Sequence, residues 1–91
     1  MRAARDLGFK ALSTNDHVIY SRPWLDAPTA LAAIVSDSGN MAVGTSVILP
    51  VVCGSVQMAK ALAAIDILSN GRLVADVGRG PSARDYEIVF D

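Results

Sequence analysis

The chain has 91 residues, of which 52% are hydrophobic and 19% charged, with eight Lys and Arg against nine Asp and Glu. A net charge of −1 without a basic cluster offers no footprint for nucleic acid, and the most apolar stretch, 41–52, is shorter than the roughly 20 residues of a membrane-spanning helix. Cys53 is the single cysteine, so a disulfide framework and a cysteine metal site are excluded. Residues 1–6 lack the apolar core of a signal peptide. We therefore expect the protein in the reducing cytoplasm.

The predicted elements alternate between helix and strand along the chain. In chain order they are a helical tail ending near Gly8, a strand at 10–14, a helix at 28–37, a strand at 41–49, a helix at 55–68 and a strand at 73–77. Short, nearly continuous apolar runs are typical of parallel strands that are buried on both faces.

Capping residues support the two helices. Asp26 is a candidate N-cap, Pro28 suits the first turn, and Gly39 suits a left-handed C-terminal position. The second helix ends at Asn70-Gly71. Four of its apolar residues fall at helical spacing: Val56, Ala59, Leu62 and Ala63.

The strands recur at a constant spacing. Their centres, near Leu12, Val43 and Val74, are 31 residues apart each time. One βαβ unit occupies about 30 residues, so the pattern predicts an α/β fold with a parallel sheet. Open doubly wound sheets and closed eight-stranded barrels share this pattern, and the barrel needs roughly 250 residues. We therefore expect either a fragment, which we favour, or a chain that assembles with copies of itself.

Polar or glycine-rich segments follow the strands, where parallel α/β folds place their working sites. Asp16 and His17 follow the first strand, Ser46 lies in the second, and Gly78-Arg79-Gly80 follows the third. His17 is a candidate proton or hydrogen-bond donor to a bound ring, with Asp16 fixing its neighbours. The glycine loop is a candidate phosphate site.

Simpler interpretations stay open for each of these residues. Asp16 suits a turn that caps the next helical segment, and the glycines suit close packing at a strand-to-helix turn. Ala83 stands where a third glycine would complete the dinucleotide fingerprint. Cys53 is interpreted as inert because the sequence shows no base beside it, and Met41 and Met58 as core residues.

The ordered set of segments resembles the luciferase-like family of flavin and deazaflavin oxidoreductases, a TIM-barrel family. The resemblance covers nearly the whole chain and is carried by Leu7-Gly8-Phe9, Asn15-Asp16-His17, Pro23-Trp24-Leu25-Asp26, Val43-Gly44-Thr45-Ser46-Val47-Ile48-Leu49-Pro50, Ala59-Lys60-Ala61-Leu62-Ala63, residues 66–72, and Val77-Gly78-Arg79-Gly80 with residues 83–87. It implies that residues 1–91 are part of one (β/α)8 barrel, from its second to its fourth strand, without the first strand and the C-terminal half.

The resemblance also implies a cofactor site. Asp16 and His17 match a pair that lies against the cofactor ring in deazaflavin-dependent members, where the histidine takes part in proton or hydride chemistry. Ser46 and Val47 match a bulge that often carries a non-proline cis peptide behind the ring. The loop Gly78, Arg79 and Gly80 approaches the cofactor, and Trp24 falls near the substrate pocket.

These implications favour a flavin-type oxidoreductase acting on a small-molecule substrate, with the deazaflavin coenzyme F-420 as first choice and flavin mononucleotide (FMN), in a monooxygenase, as the alternative. The remainder of the barrel and a second copy of the chain are the expected partners. The alternative outside the enzymes is that the chain is a non-catalytic remnant or an oligomeric binding module.

The chain departs from the family pattern at three places. Pro81-Ser82 counts against a sugar-phosphate substrate, Leu49 is the second departure, and Asp76 replaces a usual small residue.

Overall fold

The structure, a computed structural model, describes residues 1–17 and 21–79. Its elements are α1 (Arg2–Asp6), β1 (Ala11–Thr14), α2 (Ala27–Ile34), a 3-10 turn (Val35–Asp37), β2 (Ala42–Ile48), α3 (Pro50–Cys53), α4 (Ser55–Leu68) and β3 (Leu73–Val77). The three predicted strands and the two predicted long helices are all present at or within a few residues of their expected bounds.

The three strands form one parallel sheet in the order β1-β2-β3. Leu12 pairs with Val43, and Gly44 pairs with Val74, so the 31-residue sequence spacing becomes the register of the sheet within one residue. The α/β prediction is confirmed, and the described strands have the parallel arrangement expected of part of a barrel.

One face of the sheet is covered by α2 and α4. A buried cluster joins Leu31 and Val35 to Val43 of β2 and Ile65 of α4. A second cluster, nearer the carboxyl ends of the strands, consists of Ala27, Ile48 and Met58. Strand side chains alternate between faces, so the other face of the sheet carries Ala11, Ser13, Gly44, Ser46, Val74 and Asp76. This inner face has no helix on it within the described ranges.

The helix ends follow the predicted capping chemistry. The Asp26 carboxylate accepts a hydrogen bond from the Thr29 backbone N–H at 3.1 Å, and Pro28 occupies the first turn of α2. Gly39 has φ +59°, but the α-helical part of α2 ends earlier, at Ile34, and continues only as the 3-10 turn. After α4, Asn70 (φ +57°) and Gly71 (φ +79°) turn the chain into β3 through the left-handed region.

The buried side of α4 runs through Met58 and Ile65, which are 6% and 2% exposed, whereas Val56, one of the four apolar residues at helical spacing, is 84% exposed. Nearly every turn of this helix carries apolar side chains on several sides, so spacing alone does not single out one face, and packing against α2 and β2 selects the line through Met58 and Ile65. The short helix α3 was not predicted. Met41 and Met58 are core residues, as expected.

The Arg72 side chain forms hydrogen bonds to the loop before β2 and to the loop before β3, at the amino ends of these strands. Its Nε donates to the Ser69 carbonyl at 2.7 Å, and its Nη1 donates to Ser38 Oγ at 2.8 Å and to the Met41 carbonyl. Hydrogen bonds from a charged donor each contribute about 1.5–3 kcal/mol where they are shielded from water. The guanidinium therefore holds the chain before β2 against the chain before β3.

We expect Arg72→Met to lower the free energy of unfolding by about 2 kcal/mol, because the methionine keeps the apolar stem and loses all three bonds, each of which water weakens at this half-buried side chain. Urea denaturation followed by circular dichroism measures the change. Arg2→Met is the matched control: the Arg2 side chain is 74% exposed and pairs with Asp37 at 3.2 Å, and exposed pairs contribute at most about 1 kcal/mol. Equal losses in the two variants would show that the Arg72 bonds stabilise nothing beyond a surface pair.

Candidate active site

The candidate site lies at the carboxyl edge of the sheet, where the three parallel strands end together. Asp16 and His17 follow the end of β1, the Ser46-Val47 pair lies in the last part of β2, and Gly78 and Arg79 follow β3. Gly80 lies outside the described residues. These segments are far apart in the sequence, and they meet at one edge because the strands that precede them pair in parallel.

Strand β2 bulges at this edge. Thr45 pairs with Ala75 and Ile48 with Val77, so Ser46 and Val47 together stand opposite the single residue Asp76. The Ser46-Val47 peptide bond is cis. The resemblance to the luciferase-like family implied both features, and both are present in the structure.

The Thr45 side chain closes the gap that the bulge leaves in the strand ladder. Its Oγ1 accepts a hydrogen bond from the Asp76 backbone N–H at 3.0 Å and donates one to the Asp76 carbonyl at 3.0 Å. Thr45 is only 2% exposed. A buried hydroxyl thus satisfies both backbone groups of Asp76 and fixes that residue beside the bulge.

The bulge also meets the start of the loop after β3. The Gly78 backbone N–H donates to the Ile48 carbonyl at 2.9 Å, and a Cβ on Gly78 would lie 2.9 Å from Val47 Cγ2. The glycine therefore lets the Val47 side chain close against the loop. Arg79 comes next and is exposed.

Asp16 is buried beneath the start of α2. It is 7% exposed, and its Oδ2 has no hydrogen-bond partner among the described residues. Burial raises the pKa of Asp16 above its ordinary value of 3.8, and the Asp26 carboxylate adds to the rise. The backbone N–H groups of Ala27 and His17 favour the ionised form and lower this pKa in part. Asp16 is thus a buried acid with a free oxygen at the site edge.

His17 and Trp24 form an aromatic pair above the end of β1. Their ring centroids lie 4.8 Å apart at an interplanar angle of 85°. The Trp24 Nε1 donates to the Asn15 carbonyl at 3.2 Å, which anchors the indole to the end of the strand. An edge-to-face contact of this kind contributes about 0.5–1.5 kcal/mol and fixes the orientation of the histidine ring. A cleft of about 380 Å³ opens beside Trp24.

Cys53 lies at the end of α3, near the two carboxylates of this edge. Burial raises the pKa of its thiol from 9.0, and Asp16 and Asp26 raise it further. The thiol is therefore protonated at neutral pH, and only the thiolate is a strong nucleophile. The structure agrees with the interpretation of Cys53 as unreactive.

The structure joins the expected site residues in two groups rather than one. Ser46, Val47 and Gly78 form one group at the bulge, and Asp16, His17 and Trp24 form the other at the end of the neighbouring strand. Across residues 1–17 and 21–79, no three His, Cys, Asp or Glu side chains converge as metal ligands would. No helix in those ranges is long and apolar enough to cross a bilayer.

A comparison with protein families identifies the chain. The family model described as luciferase-like monooxygenase matches residues 1–89. The chain belongs to the luciferase-like monooxygenase family. Members of this family are TIM-barrel enzymes that generally use flavin-type cofactors, so the three parallel strands correspond to part of such a barrel. A search of curated proteins gave no match.

The residues at this edge are suited to a flavin-type ring. The buried Asp16 Oδ2, which has no hydrogen-bond partner among the described residues, offers an acceptor, and the Ser46-Val47 bulge offers a raised backbone surface. Arg79, which follows Gly78, adds a positive charge of the kind that binds phosphate groups. The donor set and the open backbone thus fit a planar, polar and anionic cofactor.

Two residues had roles that the sequence did not reveal. Thr45 was named only within a segment that carries the family resemblance, but its hydroxyl bonds to the Asp76 backbone inside the sheet. Asp26 was predicted only as a helix cap, yet its charge also acts on Asp16 and Cys53. The role of Thr45 could have been predicted, because a threonine next to an expected bulge can bond to the backbone of the opposite strand. The effect of Asp26 on Asp16 and Cys53 could not, because it depends on how the start of α2 packs against the end of β1.

We expect the contribution of Asp16 to stability to fall as pH rises. Because its pKa is raised in the folded state, the folded chain binds this proton more tightly than the unfolded chain. The contribution is complete below the ordinary pKa of 3.8 and is lost as pH rises from there through the folded-state pKa. Urea denaturation at a series of pH values, for the wild type and Asp16→Asn, measures the difference.

The asparagine variant should lack this part of the pH dependence, since it has no proton to exchange. Asp6→Asn is the control, because the Asp6 side chain is 69% exposed and lies outside the site. Identical pH profiles for the wild type and Asp16→Asn would contradict a raised pKa at Asp16.

Proposed function

We propose that this chain supplies part of the cofactor and substrate site of a flavin-type oxidoreductase, with the deazaflavin coenzyme as the hydride carrier. The observation that supports the proposal best is the Asp16-His17 pair at the carboxyl end of β1. There the acid is buried with a free oxygen, and the imidazole is half-buried and oriented by Trp24. The bulge of the next strand lies at the same edge of the sheet.

The bound cofactor would supply a carbon centre that gives or accepts a hydride, and the protein would orient it and move protons. His17 would donate or accept the proton that accompanies hydride transfer, because an imidazole nitrogen can both donate and accept a proton. Asp16 would act as a positioning residue below it. Ser46 and Val47 would support the ring, Gly78, Arg79 and Gly80 would hold the phosphate-bearing chain, and Trp24 would border the substrate.

The preference for deazaflavin over FMN comes from the resemblance at Asp16-His17 and at Thr45-Ser46-Val47. FMN, in a monooxygenase of the same family, is the alternative. Trp24 is the only tryptophan of the chain, and it contacts the candidate catalytic histidine. Quenching of its fluorescence therefore gives a direct binding assay for either cofactor.

We expect the deazaflavin coenzyme to quench Trp24 fluorescence in a saturable way at lower concentration than FMN. The titration should be made with each oxidised cofactor at the same ionic strength, because both carry phosphate. Asp16→Asn and Arg79→Gln should weaken binding, while the matched surface variants Asp66→Asn and Arg22→Gln should not. Saturable FMN binding without deazaflavin binding would move the assignment to the monooxygenase, and binding of neither would contradict the proposed function.

We expect His17→Ala to reduce turnover by roughly 10²–10⁴-fold in the enzyme that contains this chain, the usual contribution of a proton-transferring group. The free energy of unfolding should change much less, because the ring is only half-buried. Steady-state rates and urea denaturation are measured on the same preparations. Lys60→Ala on the exposed surface of α4 is the control for nonspecific effects. An unchanged rate would leave His17 with a structural role only.

A specific observation favours the alternative interpretation, in which the chain is an oligomeric binding module. The described part of the sheet has β1 and β3 as edge strands, and several large apolar side chains are exposed, among them Val51, Val56, Ile67, Leu68 and Val77. Surfaces of this kind are usually covered by another protein segment. Sizing chromatography with light scattering decides: a discrete oligomer that binds neither cofactor favours the module, and a cofactor-binding species favours the oxidoreductase.

A further inference from the structure

Two buried polar atoms near the start of α2 have no hydrogen-bond partner among the described residues. They are the Thr14 hydroxyl oxygen Oγ1 and the Asp16 carboxyl oxygen Oδ2, and solvent has almost no access to either. Folded proteins pair nearly all of their buried polar atoms, because an unpaired one loses its bonds to water without replacement. Two such atoms only two residues apart therefore call for a physical explanation.

We propose that the Thr14 hydroxyl donates a hydrogen bond to Asp16 Oδ2 and that Thr14 is thereby a positioning residue for the Asp16-His17 pair. The two groups are complementary, because an ionised carboxylate only accepts hydrogen bonds and a hydroxyl can donate one. The bond itself involves only this chain's own atoms. Its effect on proton transfer rests on the proposed function, in which Asp16 supports His17.

Both side chains lie on the helix-covered side of the sheet rather than on the side that faces the barrel interior. Successive residues of an extended chain alternate between sides. Ser13 and Asn15 are exposed, whereas Thr14 is half-buried and Asp16 is buried. Thr14 borders a cleft together with Ala27, and the Ala27 backbone N–H bonds to the Asp16 carboxyl. The two side chains thus meet the same residue in the first turn of α2.

The separation along the chain suits a direct bond between the two side chains. Alternate residues of an extended chain are about 6.6 Å apart, and here both side chains extend toward the same helix. A threonine is stiff at χ1, whereas the last torsion of an aspartate is broad, so turning the carboxyl group is the small movement that closes the bond. A carboxylate has about four lone-pair positions, so this bond leaves others for backbone N–H groups and for the cofactor.

The surroundings of Asp16 make a hydroxyl donor important for its charge. Burial raises the pKa of Asp16, and the Asp26 carboxylate at the start of α2 raises it further, whereas a positive charge on His17 lowers it. Cys53 of α3 is protonated and uncharged at neutral pH, because its own pKa is raised. A hydroxyl that donates to the ionised carboxyl favours that form. Thr14 therefore keeps Asp16 available as the negative charge that stabilises a protonated His17.

The first test is an NMR titration of the Asp16 side-chain carboxyl in the wild type, Thr14→Val and Thr14→Ser. Valine keeps the shape of threonine and removes the hydroxyl, whereas serine keeps the hydroxyl and removes the methyl group. We expect Thr14→Val to lower the acid dissociation constant of Asp16 by about ten-fold, the effect of one hydrogen bond to a charged group. Thr14→Ser should titrate close to the wild type. The exposed Asp66 carboxyl is the control and should not change in either variant.

Urea denaturation at a pH where Asp16 is ionised gives an independent result. If the hydroxyl bonds to Asp16, Thr14→Val leaves a buried carboxylate without its donor, and the urea midpoint falls. If the hydroxyl has no partner, the same change replaces a buried unbonded polar group by a methyl group, and the midpoint rises. A raised midpoint, an unchanged Asp16 titration in Thr14→Val, or an equal change in Thr14→Ser would overturn the proposal.

The positioning role is tested by the pH dependence of kcat in the enzyme that contains this chain. The acidic limb of the Thr14→Val profile should move to higher pH together with the Asp16 titration, and Thr14→Ser should restore it. A fall in kcat by the same factor at every pH would show a packing role and overturn the positioning role. If the wild type binds neither flavin, the proposed function fails, whereas the NMR titration, which uses no flavin, still decides whether Thr14 bonds to Asp16.

Discussion

The bulge in the central strand is the constraint on which the rest of this structure depends. Two residues, Ser46 and Val47, stand opposite one, Asp76, so the ladder between β2 and β3 loses its regular bonds there. The buried Thr45 hydroxyl replaces them by accepting from one backbone group of Asp76 and donating to the other. Without a polar side chain at this buried position, both backbone groups of Asp76 would lose their partner, at a cost of about 1–3 kcal/mol for each group left without water.

The two faces of the sheet differ because successive residues of β2 differ in size and polarity. Val43 and Ile48 anchor the helix-covered face through two apolar clusters. Gly44 and Ser46, which are small, alternate with them and lie on the opposite face. The residues that pack against the helices therefore alternate with small residues along one strand.

The candidate site at the carboxyl edge of the sheet consists of one group of residues held by the strands and one group that lies beside the start of α2. The bulge and Gly78 are held by strand pairing and by direct packing of Val47. Asp16 lies buried beside the backbone N–H of Ala27, and the His17 ring contacts Trp24. In the proposed function these two groups would serve one cofactor, since a flavin-type ring needs a supporting surface and a proton-transferring group at the same edge.

The sequence by itself determined the alternation of elements, the parallel sheet and its register, and the Asp26 cap. These features depend on local pattern, spacing and capping chemistry, which act over a few residues or repeat along the chain. Only the tertiary structure decided which side of α4 is buried, because apolar residues such as Val56 and Ile65 lie on several sides of that helix. It also decided that Thr45 bonds to Asp76 and that Asp16 lies buried near Asp26, since contacts between residues distant along the chain, and the burial they create, arise only when the elements pack.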